Sequence, residues 1–135
     1  MDTDTIVAAM RSPTGASAAL LRAARDGRVI LPATAPLCLE YEDVCSRPEH
    51  VAAARFSPRD LMVFLDAIVD LLEPVDIWFL WRPQLRDPGD ELVLEAAVNG
   101  RADAIATFNR RDFRPAAGRF GIQILLPAEA IQRIS

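Results

Sequence analysis

Lysine does not occur in this sequence; all 15 basic residues are arginine. A lysine base, a Schiff base and a P-loop are thereby excluded. Contacts to phosphate are left to guanidinium groups, which bind it in a bidentate fork. Histidine occurs once, at His50, in a segment Arg47-Pro48-Glu49-His50 that reads as a surface loop. With one histidine, no G-x-S-x-G and no histidine beside either cysteine, a Ser/His/Asp or Cys/His nucleophile has no support. Cys38 and Cys45 stand seven apart in one helical segment, so they share a face as small apolar residues rather than as a disulfide or zinc site. No apolar run reaches the roughly 18 residues of a membrane span, and no basic stretch followed by an apolar one opens the chain. The expected location is the cytoplasm.

What is present is a sizeable core and a surplus of acid. At 135 residues, 51% of them hydrophobic, the chain suits one compact domain over residues 1–135. The net charge of −4 and a pI near 4.9 oppose phosphate binding unless cations supply the positive charge.

Apolar spacing predicts a helix over Ser17 to Asp26 ending at Gly27, then a strand Arg28 to Leu31. Pro36 opens a helix whose stripe Leu37, Tyr41, Val44, Cys45 runs to Arg47-Pro48. Ser57 and Pro58 introduce a helix over Arg59 to Leu72, and Val75 to Leu80 reads as a strand. Beyond the turn-rich Arg82 to Gly89 come a helix Glu91 to Val98, closed by Asn99-Gly100, and a strand Ala104 to Phe108. A strand Ile122 to Leu125 and a helix Ala128 to Ile134 complete the chain. The alternation predicts an α/β domain with a mainly parallel sheet of about five short strands flanked by helices in three layers.

Ligands of parallel sheets bind beyond the carboxyl ends of the strands, and acids recur there: Asp2 and Asp4, Asp87 and Asp90, then Asn109 and Asp112. On a helical projection Glu40 borders the apolar stripe and faces the body, whereas Glu42 and Asp43 face solvent. Such hard oxygen donors suit magnesium or manganese, which would activate water for an in-line attack on phosphate. Each acid also has a plain reading. Asp87-Pro88 with Asp90 fits an N-cap and a helix-start acid, Asp2 and Asp4 a solvated tail, Glu40 a surface helix, Asp112 a turn.

The order of these segments resembles the PIN domain, named for the PilT N-terminus, and especially its bacterial VapC-like toxin branch. The segments are Asp2-Thr3-Asp4-Thr5-Ile6, with Asp4 where asparagine is usual; Ser12-Pro13-x-Gly15; Leu39-Glu40-Tyr41 with Arg47-Pro48-Glu49; Arg86-Asp87-Pro88-Gly89-Asp90-Glu91; Ala102 to Phe113; and Pro127. The resemblance implies that Asp2, Glu40 and Asp90 bind metal. The fourth acidic position falls on Asn109, with Asp112 a possible substitute and Thr107 a holder of a bridging water. It further implies single-stranded RNA as substrate, with a small antitoxin protein or a homodimer as partners. In that family several apolar residues precede the first aspartate. Here Met1 alone does, which points either to a start upstream or to a very short central strand.

Two other functions remain open. Asp2-x-Asp4-x also matches the D-x-D-x-T of haloacid-dehalogenase-like phosphatases, where the first aspartate is a nucleophile. A PIN module that binds RNA or protein without cutting is the other. The broad apolar face of Leu61, Met62, Phe64, Leu65, Ile68, Val69 and Leu72 is mainly core, yet part could receive a partner helix, and Trp78 and Trp81 are similarly ambiguous.

Overall fold

Apolar stretches this short allow only brief strands, and helices carry most of the chain. The computed structural model describes residues 1–78 and 85–134. Among them, eight helices are interspersed with four strands of three residues each, an α/β arrangement.

Asp2 caps α1 (Thr3–Arg11), a helix beyond those the sequence pattern predicts; its Ile6, Val7, Ala9 and Met10 are buried. After Ser12-Pro13 comes α2 (Ala16–Arg25). Gly27, at φ +76°, ends it: its N–H donates to Ala24 O at 3.1 Å and that of Arg28 to Ala23 O at 2.8 Å, a Schellman closure. Because Arg28 is spent on that cap, the strand predicted at Arg28 to Leu31 starts later, as β1 (Leu31–Ala33).

Thr34 caps α3 (Ala35–Cys45), whose Leu37, Tyr41 and Cys45 form the buried stripe. Both cysteines are free thiols, Cys45 buried and Cys38 half-buried. The segment read as a loop around His50 is instead α4 (Pro48–Ala54). Pro48 sits in its first turn, where a missing N–H costs no helical bond. Ser57 and Asp60 form a reciprocal capping box at the start of α5 (Pro58–Leu71).

The strand predicted at Val75 to Leu80 lies earlier, as β2 (Leu72–Pro74), parallel to β1 with Leu31 opposite Leu72 and Ala33 opposite Pro74. Val75 N adds a bond to Ala33 O at 3.0 Å. Its partner then turns into α3, so pairing stops there. Phe79, Leu80, Trp81 and the opening of the turn-rich stretch fall outside the described residues.

Next come α6 (Pro88–Asn99), β3 (Ala104–Ala106), α7 (Arg110–Phe120), β4 (Gln123–Leu125) and α8 (Pro127–Ile134). Helix α7 replaces the turn expected around Asp112; Pro115 within it and Gly118 mask a period that buries Phe113 and Ala116. β3 and β4 pair in parallel, Ala104 opposite Gln123 and Ala106 opposite Leu125.

The described residues thus form two parallel pairs, not one sheet of five strands. A cleft of about 720 Å³ is lined by Leu31 and Pro32 of one pair, Ala104 to Ala106 of the other, and Met1. Asp2 N donates to Ala106 O at 2.8 Å, a strand-like rung beside β3. Tyr41, fully buried, donates its hydroxyl to Met1 O. Helix α6 packs on β1, β3, α3 and α7 and so bridges both pairs. Ile6, Met10, Leu37, Ile105 and Phe113 fill the core. No helix among the described residues is long and apolar enough to cross a membrane.

Gly100, expected as a helix-ending glycine, has φ −85°; the left-handed turn falls on Arg101, at φ +53°. Gly100 is there for space. A Cβ on it would meet Pro32 Cβ at 2.6 Å and Ala96 O at 2.8 Å, so Gly100→Ala must push α6 off β1. We expect a loss of about 1–3 kcal/mol in urea unfolding, as for other overpacked sites; an unchanged midpoint would refute this contact.

Candidate active site

Three segments distant in sequence bring their acids to one pocket of about 610 Å³: the start of α1, the middle of α3 and the start of α6. Asp2, Asp4, Glu40, Asp87 and Asp90 line it, together with Asn109, Phe108, Arg11 and His50.

Asp2 is no solvated tail. It is 5% exposed, its Oδ1 accepts from Thr3 N at 2.7 Å, and its Oδ2 accepts from Thr107 Oγ1 at 2.6 Å. Thr107 is wholly buried and its oxygen also accepts from Asn109 N at 2.9 Å. Its hydroxyl therefore orients Asp2.

Asp4 lies in the first turn of α1. Its Oδ2 accepts from Asn109 Nδ2 at 2.9 Å and from Phe108 N at 3.3 Å. Its Oδ1 is buried with no hydrogen-bond partner. Burial, then the neighbouring Asp2, pushes the Asp4 carboxyl from its ordinary 3.8 up to about 7, against the opposing pull of the Phe108 N–H.

Glu40 is half-buried and Glu42 and Asp43 are exposed, as the helical projection predicts. Asp43 forms a surface pair with Arg47 at 3.6 Å. Glu40 reaches the start of α6: a Cβ on Gly89 would stand 3.3 Å from Glu40 Oε1. A bare α-carbon there lets the carboxylate approach a helix N-terminus, where negative charge is favoured.

Asp87 is the N-cap of α6, accepting from Gly89 N at 2.7 Å and Asp90 N at 3.2 Å, so its capping reading holds while its charge also borders the pocket. Asp90 is half-buried. Burial first, then the charges of Asp2, Asp87, Asp112 and Glu91, push its carboxyl up to about 7. Asp112 itself is exposed on α7 and does not line the pocket.

Two lining residues had no role in the sequence reading. Arg11 shares the face of Asp4, Val7 and Ala8 at helical spacing, a signal legible only once α1 is known. His50, which the sequence places at the surface, is half-buried against the pocket and its Nδ1 is buried without a partner.

Among the described residues no three His, Cys, Asp or Glu side chains make a ready ion cage; the carboxylates line walls instead. That suits magnesium or manganese, which keep several waters and take one or two direct carboxylates. The donors are all oxygen, and a buried carboxylate oxygen without a donor, Asp4 Oδ1, fits a hard cation.

The family model of the PIN domain matches residues 1–111. The chain belongs to the PIN domain family. No curated protein and no solved structure matches it. PIN domains are in general nucleases that use divalent metal ions, and membership replaces the phosphatase reading of Asp2-x-Asp4. In this PIN domain the first aspartate caps a helix that starts at the very next residue.

Asp4 and Asp90 hold protons more tightly folded than unfolded. Their contribution to stability is thus present at low pH and lost as pH rises from 3.8 toward about 7. Water screens both half-exposed groups, so each effect is about 1 kcal/mol. In EDTA, Asp90→Asn should flatten the fall in stability between pH 4.5 and 7.5 and stabilise the domain at the upper end. Urea unfolding that shows Asp90→Asn destabilised at pH 7.5 would leave Asp90 a helix-start acid and nothing more.

Proposed function

We propose that this PIN domain is a metal-dependent endoribonuclease that cuts single-stranded RNA in the Asp2, Glu40 and Asp90 pocket and serves as the toxin of a toxin–antitoxin pair in the cytoplasm. The observation that carries the catalytic part is the convergence of those three acids, from α1, α3 and α6, on one pocket that also holds an arginine and an exposed aromatic ring.

The division of labour follows from the side chains. Asp2, Glu40 and Asp90 would hold magnesium or manganese; when bound, the ion activates water and offsets charge on the phosphate. Asp2 is held for that task by Thr107 and Thr3. Arg11 offers the pocket a cation for a flanking phosphate. Phe108, 52% exposed at the rim, presents a ring on which an unpaired base can stack, a contact that favours single strands over duplex. The toxin role rests on the resemblance of the motifs and implies a small antitoxin protein, which co-expression with a neighbouring small gene should recover as a complex.

The lack of a closed ion cage among the described residues favours one other reading, a module that binds RNA or protein without cutting. Binding of RNA with no cleavage at saturating manganese would decide for it.

Purified protein should cleave single-stranded RNA with magnesium or manganese and lose that activity in EDTA. Asp90→Asn or Glu40→Gln should lower the rate by about 100-fold or more. Glu42→Gln, on the solvent face, should keep most of it, and Phe108→Ala should raise KM more than it lowers kcat. Cleavage that persists in EDTA, or equal losses in the Glu40 and Glu42 variants, would sink the mechanism.

A further inference from the structure

An amide NH₂ can only donate and an ionised carboxylate can only accept, so the contact between Asn109 and Asp4 has a direction. Asn109 Nδ2 donates to Asp4 Oδ2 at 2.9 Å, and Phe108 N donates to the same oxygen at 3.3 Å. Both donors come from the stretch between β3 and α7, and Asn109 N is itself fixed by Thr107 Oγ1 at 2.9 Å. One oxygen of Asp4 is therefore anchored. The other, Oδ1, is buried and has no hydrogen-bond partner, and the charge of the neighbouring Asp2 acts on the same carboxyl.

We infer that Asp4 is the fourth carboxylate of the cation site, and that Asn109, at the position where the resemblance implies an acid, is a positioning residue that aims it. The inference rests on the reading of this pocket as a divalent-cation site. A structural tie between α1 and α7 uses only Oδ2; it leaves Oδ1 buried without a partner, an oxygen that a divalent cation would satisfy. An acid at Asn109 would instead set two carboxylates against each other at hydrogen-bond distance. Asp4 stands where the resembling motif has asparagine, and Asn109 where it has an acid. Amide and carboxylate have changed places across a contact that joins residues 105 apart, and the charge of the pair is kept.

Calorimetric titration with manganese chloride, together with thermal melts with and without it, tests this on the full chain. Asp4→Asn should weaken manganese binding by about tenfold or more and shrink the manganese-induced rise in Tm. Asn109→Asp alone should lower Tm in EDTA. The double variant Asp4→Asn/Asn109→Asp, which returns one amide and one carboxylate to the pair, should bind manganese close to the wild-type value, a rescue that a merely structural Asp4 would not produce. If Asp4→Asn fails to fold, the double variant carries the decision, and a folded double variant without manganese affinity overturns the inference. Asp90→Asn is the control: if it loses binding while Asp4→Asn keeps it, only the assignment of Asp4 falls. If the wild type binds no manganese, the cation-site reading falls and this inference with it.

Discussion

The contact between Asp2 and Thr107 is the one on which the rest of the arrangement depends. It joins residues 105 apart at 2.6 Å, and the backbone repeats the link one residue earlier, through Asp2 N and Ala106 O. A buried carboxylate is tolerated only where donors satisfy it. Here the donors are a wholly buried hydroxyl at the end of β3 and the first N–H of α1. The same two bonds therefore start a helix, close the chain's beginning onto its later half, and turn an acid into the floor of the pocket. Thr107 also receives Asn109 N, so the orientation of Asp2 and the start of α7 are set by a single side chain.

Around that fixed point the site accumulates unfavourable charge. Asp4 and Asp90 both keep their protons up to about 7, because burial and neighbouring carboxylates oppose ionisation. A fold selected for stability alone gains nothing from such a cluster, whereas a cation-binding site needs it; this is the usual conflict between activity and stability. The surrounding elements limit the cost. Asp87 caps α6 while it borders the pocket, and Glu40 approaches the positive end of that helix across Gly89.

Much of the helical framework was legible because its signals are local. The Ser57 cap, the first-turn prolines and the Gly27 closure act within a few residues, and each does what its chemistry indicates. The inward turn of Glu40 and the outward turn of Glu42 follow from helical period alone. The strands were displaced because three residues carry no usable period, and their limits depend on when a partner strand bends away. Helix α7 is masked by Pro115 and Gly118, and α1 by its short length and its polar opening Thr3-Asp4-Thr5.

The sequence by itself determined the α/β class, several of the helices, the parallel character of the short strands, and the supply of acids without a lysine or a cysteine site to compete with them. Membership of the PIN domain family follows from the match of residues 1–111. Only the tertiary structure decided which acids share a pocket, that Thr107 serves Asp2, that Arg11 and His50 enter, and that Asp112 stays outside. The reason is physical. Caps and helical faces are set by neighbours along the chain, whereas a pocket is set by where separate elements meet, and the hydrogen bonds joining Asp2 to Thr107 and Asp4 to Asn109 span 105 residues.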